Sequence, residues 1–191
     1  GKIIIPKEIG EGLQILKASK TVRGAILHLV FLYGLLAALY VLSISLASSI
    51  DGLGPTKFGT LLAVSGLGMV LGALVVAQVG HSLSRPRLTS AGLGTITWSL
   101  VLLGQMQGSL FSTLLLCGAL GIGAAFVAIP AQTTLQEDTP EAQRGKVFGL
   151  QNNLINISLS LPLVLAGWLV SHYGLIPVLW LLAGLAMIAG I

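Results

Sequence analysis

Residues 110–131 read LFSTLLLCGALGIGAAFVAIPA, a run that contains no Asp, Glu, Lys or Arg. An apolar helix of about 20 residues crosses the hydrocarbon core of a bilayer, and this run has that length. Similar apolar runs lie on either side of it, at residues 25–50, 59–79, 88–106, 147–170 and 175–191. None has the two-residue alternation of a membrane β-strand. The sequence therefore predicts an all-α, polytopic membrane protein with a six-transmembrane-helix bundle.

The composition and the charge distribution agree with a membrane protein. Charged residues make up 8% of the chain, against about 25% in soluble domains. Basic residues gather before the first span, between the second and third, and between the fourth and fifth, whereas only Lys57 lies on the opposite side. The positive-inside rule places the basic segments in the cytoplasm. Because these charges are scattered and close to span ends, we expect no nucleic-acid partner.

Residues able to support enzymatic or metal chemistry are few and far apart. The single cysteine, Cys117, lies inside a predicted span, and the three histidines lack ligand spacing: His28, His81 and His172. Ser65 lies in the middle of the second span and is a candidate nucleophile, but no histidine that could act as its base lies at the same depth in the membrane. A glycine-rich phosphate loop is also absent from the sequence. We expect no enzyme activity, no metal site and no cofactor.

The chain divides into an amphipathic lead-in and a bundle. Residues 1–23 are predicted to form a cytoplasmic amphipathic connection, and residues 24–191 the six-helix bundle. We expect truncation at both ends, because the chain lacks an initiator Met and its last apolar run meets no basic anchor. The longest internal connection is predicted at residues 132–146. Its Thr139-Pro140-Glu141 sequence is typical of a helix start, with Thr139 as the N-cap of a short cytoplasmic helix.

Glycines inside the spans are predicted to pack helices together. Gly68 and Gly72 stand four residues apart in the second span, and Gly118 and Gly121 lie in the fourth. Lipid gives no hydrophobic drive for helix association, so small residues that let backbones approach are favoured at helix contacts. We favour this packing role over direct contact with a ligand.

Polar residues inside the spans are the candidates for a substrate cavity. No charged residue falls in the middle of a span, but Asn152 and Asn156 lie one helical turn apart in the fifth. They either line a water-filled cavity or form interhelical hydrogen bonds, and the sequence leaves both readings open. Tyr33 and Tyr40 give the first span a weaker stripe, for which an ordinary interfacial role is the alternative.

Four basic residues at span ends are candidates for a cytoplasmic gate: Arg85, Arg87, Arg144 and Lys146. A cation in such a position can bond the carbonyl groups at a helix C-terminus or a carboxylate of a partner half.

Several segments resemble one transporter family. Residues 129–150, IPAQTTLQEDTPEAQRGKVFGL, resemble the loop that joins the fourth and fifth helices in the carboxyl-terminal half of major facilitator superfamily transporters. They are closest to the drug-efflux branch that includes macrolide exporters. Residues 11–13 resemble the central connection between the halves of that branch. Residues 72–87 resemble a degenerate copy of the superfamily's loop motif, with Arg85 and Arg87 at the basic positions and the acid absent.

This resemblance implies the second half of a twelve-helix transporter. The implied partners are the lipid bilayer, the amino-terminal six-helix half and a small amphipathic substrate. The implied function is secondary active export by alternating access in the bacterial inner membrane. The alternatives are a lysophospholipid transporter, which Gln151-Asn152-Asn153 resembles, and a non-transporting scaffold subunit. A polar cavity face favours transport, whereas uniformly apolar faces favour a scaffold.

Overall fold

The computed structural model describes residues 7–106 and 108–190, and every regular element in these ranges is helical. The described ranges leave out Lys2 and the rest of residues 1–6 in the predicted lead-in. They also leave out Ile191, at the end of the sixth predicted span. The elements in chain order are α1 (Lys7–Ala18), α2 (Lys20–Ser48), a 3₁₀ turn (Pro55–Lys57), α3 (Phe58–Val79), α4 (Arg85–Gln105), α5 (Leu110–Glu137), α6 (Glu141–Tyr173) and α7 (Leu175–Ala189).

Four helical segments are long and apolar enough to cross a bilayer: Lys20–Ser48, Pro55–Val79, Leu110–Glu137 and Glu141–Tyr173. They correspond to α2, α3 with its preceding turn, α5 and α6, so an all-helical polytopic membrane protein is confirmed. Helix α4 has the length but carries many hydroxyl side chains, and α7 has only 15 residues. These two helices decide whether the bundle has six spans.

Helix α5 occupies the centre of the bundle and contacts α3 at backbone distance. A Cβ atom on Gly68 would overlap the carbonyl of Gly118, and one on Gly121 would overlap the carbonyl of Ser65. A Cβ on Gly72 would lie 2.8 Å from that of Ala125. Gly68, Gly72 and Gly121 thus lie where the backbones of α3 and α5 approach each other most closely.

Gly118 takes part in this contact in a different way. Its own Cβ position is open, with Val64 Cγ1 the nearest atom at 3.7 Å. The backbone of Gly118 supports Gly68, but a side chain at Gly118 would meet no backbone.

The opposite side of α5 packs against α4 through a second glycine pair. A Cβ on Gly92 would lie 2.7 Å from the carbonyl oxygen of Gly123, and one on Gly123 would lie 2.9 Å from that of Gly92. Helix α5 is thus held between α3 and α4 by contacts that no larger residue permits.

Helix α6 pairs with α2 along the middle part of its length. The Ser158 hydroxyl donates a hydrogen bond of 2.6 Å to the carbonyl oxygen of Val30. Gly34 of α2 faces Pro162, whose ring atom Cγ would lie 3.5 Å from an added Cβ. At the end of the bundle where α2 and α6 begin, α1 contacts the start of α6, and its Leu16 is buried in the same cluster as Val147.

The predicted connection at residues 132–146 is wrong. Helix α5 continues to Glu137 and α6 begins at Glu141, so the two helices are separated only by Asp138–Pro140. No separate short helix precedes the span in this described segment, because α6 runs unbroken for 33 residues. Thr139 is not the N-cap either: Pro140 occupies that position, and the buried Thr139 hydroxyl has no hydrogen-bond partner in the described part of the chain.

Cysteine labelling tests which ends face the cytoplasm. Thr56 and Ser84 flank the 22-residue helix α3, so at 1.5 Å per residue they lie about 33 Å apart along it. In a Cys117→Ser background, an impermeant maleimide added to intact cells should label Thr56→Cys and spare Ser84→Cys. The opposite pattern would refute the assignment of basic loops to the cytoplasm.

A matched glycine pair tests the α3–α5 contact. Gly121→Ala should lower the stability of the purified full-length protein, because overpacking costs about 1–3 kcal/mol and a backbone carbonyl cannot move aside. Gly118→Ala should be neutral or mildly stabilising, since alanine favours a helix by about 1 kcal/mol over glycine. Thermal unfolding measures both, and equal midpoints for the two variants would contradict the contact.

Candidate functional site

Helix α6 presents a polar face to the outside of the described bundle. Asn152, Asn156 and Ser160 follow one another at four-residue spacing, so they lie on one side of the helix. All three are exposed, as is the neighbouring Asn153. This face is directed away from α2, because the α6 residues that contact α2 or are buried fall on the other side.

The side chains of Asn152, Asn156 and the neighbouring Asn153 form no hydrogen bond within the described residues. The Ser160 hydroxyl donates a hydrogen bond of 2.9 Å to the backbone carbonyl of Asn156. This bond does not involve the side-chain amide of Asn156, which has no partner among the described residues. The nearby Gln151 behaves differently: it is buried and its Nε2 donates 3.0 Å to Gln132 Oε1 of α5. Gln132 and Gln151 thus form a side-chain hydrogen bond between α5 and α6. The exposed asparagines, by contrast, are available to groups outside this bundle.

A second exposed face of α6 is purely apolar. Ile157, Leu161 and Val164 are 55%, 59% and 75% exposed and follow each other along the helix. Apolar residues of this kind suit contact with lipid tails, whereas unpaired amides do not. The surface of α6 is therefore divided into a packed face, a lipid-compatible face and a polar face.

The two predicted cavity tyrosines lie at other positions. The pairing of Val30 with Ser158 sets the level of each helix relative to the other. By that register Tyr33 lies about 8 Å beyond Asn156 along the axis, and Tyr40 about 18 Å beyond it. Tyr33 packs half-buried beside the cluster that includes Val147, and Tyr40 forms an edge-to-face contact with Phe58 at 5.7 Å. Tyr33 is thus close to the asparagine level, but Tyr40 belongs to the far end of α2.

Among the candidate gate residues, Arg85 has the most extensive contacts. It lies in the first turn of α4, bonds Glu137 at the end of α5, and approaches Asp138 to 3.7 Å. Its Nη1 also donates 3.3 Å to the Thr134 hydroxyl. The acid that is absent from the loop sequence is thus supplied in space by α5. Sequence reasoning missed it because 52 residues separate Arg85 from Glu137.

The other three basic residues do not join this cluster. Arg144 donates 3.2 Å from Nε to the Thr139 carbonyl and lies 3.7 Å from Glu141. Lys146 bonds Glu11, which ties α1 to the start of α6. Arg87 is exposed and forms no ion pair within the described residues. The structure therefore places the four predicted gate residues in four different environments.

Comparison with known proteins identifies the family. Residues 18–191 match the family model of the Major Facilitator Superfamily, which covers all the helices that could cross the membrane. Neither the curated proteins nor the solved structures contain a match. Members of this family are transporters rather than enzymes. The helices, their exposed polar face and this match together make the chain a multi-pass membrane protein of the Major Facilitator Superfamily.

Proposed function

We propose that this chain is the second six-helix half of a secondary active transporter that exports a small amphipathic compound by alternating access. Its partner is an amino-terminal six-helix half, and its location is the bacterial inner membrane. Export is inferred from the resemblance of residues 129–150 to the drug-efflux branch. The observation that carries the proposal is the exposed polar face of α6.

The physical reason is the cost of unpaired amides in hydrocarbon. An asparagine side chain offers two N–H donors and a carbonyl acceptor, and lipid tails satisfy none of them. Each unsatisfied polar group in the bilayer core costs several kcal/mol. Asn152 and Asn156 must therefore face water, a substrate or a polar partner. A scaffold that buries uniformly apolar faces does not explain them.

Six spans are supported by the way α4 handles its hydroxyl groups. Thr95 and Thr97 each donate 2.8 Å to the backbone carbonyl four residues earlier. Ser99 is buried. The hydroxyl groups of α4 are thus satisfied by its own backbone or buried in the bundle, so the composition of α4 is compatible with a membrane crossing.

The cytoplasmic gate rests on Arg85 and its acidic partners. Arg85 joins the start of α4 to the end of α5, so the charge cluster connects two helices that a transporter moves as one unit. Arg144 fixes the α5–α6 connection through the Thr139 carbonyl. In our proposal these contacts hold the cytoplasmic end of this half rigid while the two halves rock against each other.

Replacing one asparagine tests the cavity. Asn156→Leu in the full-length protein should change the substrate profile or the apparent affinity while membrane abundance stays nearly constant, because the Asn156 side chain has no hydrogen-bond partner among the described residues. Transport of a panel of amphipathic dyes and drugs measures the effect. Ile157→Leu, at the next position on the apolar face, is the control and should behave as wild type. Loss of abundance in Asn156→Leu, or an unchanged profile, would favour packing over a cavity.

A pair of arginines tests the gate. Arg85→Gln should reduce transport more than abundance, whereas Arg87→Gln, which removes an unpaired exposed charge, should have little effect on either. The stability loss should stay at about 1 kcal/mol or less, as for other exposed ion pairs. The charge swap Arg85→Glu with Glu137→Arg should restore part of the transport. Equal losses of transport and abundance in Arg85→Gln would assign the residue to folding.

A further inference from the structure

A deep groove lies between α6 and α7, with α2 as its floor. Its volume is about 400 Å³. Helix α6 borders it from Ser158 to Leu169, and α7 borders it from Val178 to Leu185. Each of these limits lies inside a described helix, so described residues form all of its walls. Only Gly174 joins the two helices, so the groove narrows towards that joint and opens towards the end where α2 begins.

The walls of the groove present hydrocarbon almost everywhere. Ser158 is the one polar residue among those that line it in the described chain, and its hydroxyl already donates a hydrogen bond of 2.6 Å to the Val30 carbonyl. Water held in such a place needs two to four polar partners, and the side chains here supply only that hydroxyl. The groove therefore suits an apolar occupant, which restores the dispersion contacts that empty walls forfeit.

The faces on both sides of the groove are apolar as well. Helix α7 carries no polar side chain except the indole of Trp180, and its Leu181 and Leu185 are exposed at the groove. On the other side, exposed Leu165 joins the groove to Leu161 of the lipid-compatible face of α6. The polar face of α6 lies on the opposite side of that helix. The groove therefore opens to lipid and not to the proposed cavity.

The dimensions of the groove fit one hydrocarbon chain. From Ser158 to Leu169 it follows α6 for about 17 Å, at 1.5 Å per residue. This is close to the depth of one leaflet of a hydrocarbon core about 30 Å thick. A chain of that length and about 5 Å thick at van der Waals contact occupies about 330 Å³. A helix about 10 Å across needs about 1,300 Å³ over the same length, which is far more than the groove holds.

We propose that the groove holds one acyl chain of a bilayer phospholipid. The methyl end of the chain points towards Gly174, and the headgroup lies in the leaflet at the end where α2 and α6 begin. The chain contacts α2, α6 and α7 at once, whereas a lipid elsewhere on the surface contacts a single helix face. Because α7 packs mainly against α4, the chain supplies contact that α6 and α7 do not make with each other. The inference concerns a resident lipid away from the proposed transport site, so it goes beyond the proposed function.

Photo-crosslinking of the full-length protein in vesicles tests this placement. The probe is a phosphatidylcholine with a diazirine near the methyl end of one acyl chain, and mass spectrometry locates the crosslinks. The probe should label the groove floor at Phe31 and Gly34 of α2, as well as the exposed Leu161 of α6. A second probe, with the diazirine next to the ester group, should leave the groove floor unlabelled, because that part of the lipid lies outside the groove.

Substitutions that fill the groove supply the matched comparison. Leu181→Trp enlarges a side chain in the groove, so labelling of the groove floor should be lost while labelling of Leu161 persists. Ile188→Trp makes a similar enlargement on the exposed surface of the same helix, outside the groove, and should preserve labelling of the groove floor. If Leu181→Trp fails to fold, Leu165→Trp fills the groove from the α6 side and carries the same expectation.

Any of four results would overturn the proposal. These are an unlabelled groove floor in the wild type, equal labelling of the floor by both probes, equal loss of labelling in Leu181→Trp and Ile188→Trp, and displacement of the probe by excess ethidium. The last result would assign the groove to an amphipathic solute in place of a lipid. Crosslinking is measured without transport, so its failure leaves the proposed function to its own tests.

Discussion

The backbone contact of α5 with its two neighbours is the constraint on which the rest of the bundle depends. Bilayer lipid does not drive helices together, so their association rests on close packing. At Gly121 and at Gly123, α5 approaches α3 and α4 so closely that a methyl group would collide with backbone. These contacts fix three helices as one unit. They also fix the end of α5, where Glu137 and Asp138 meet Arg85 of α4.

Helix α6 stands outside this unit and can therefore present a functional surface. It is held mainly by α2, through Ser158 and Pro162, and at its amino-terminal end by α1. Much of its remaining surface is exposed in the described part of the chain, and that surface separates into an apolar sector and a polar sector. A helix with two such different exposed sectors suits a boundary between lipid and an aqueous cavity.

The sequence predicted the parts of this structure that follow from local patterns. Apolar runs located the helices, and the spacing of Asn152 and Asn156 placed them on one face. The sequence-based prediction failed at residues 132–146, because good helix formers such as Gln, Glu and Ala extend a helix readily once its end projects beyond the hydrocarbon. It also missed the partner of Arg85, since only the α4–α5 packing brings Glu137 near.

The most direct test of the central claim is the water accessibility of α6 in the full-length transporter. Single cysteines at residues 152–165, in a Cys117→Ser background, are treated with a small charged thiol reagent in membranes. The account predicts fast reaction at Asn152, Asn156 and Ser160, slow reaction at Ile157 and Leu161, and protection of the fast positions by a transported compound. Equal rates around the helix, or faster reaction on the Ile157 face, would contradict a water-lined cavity on this surface.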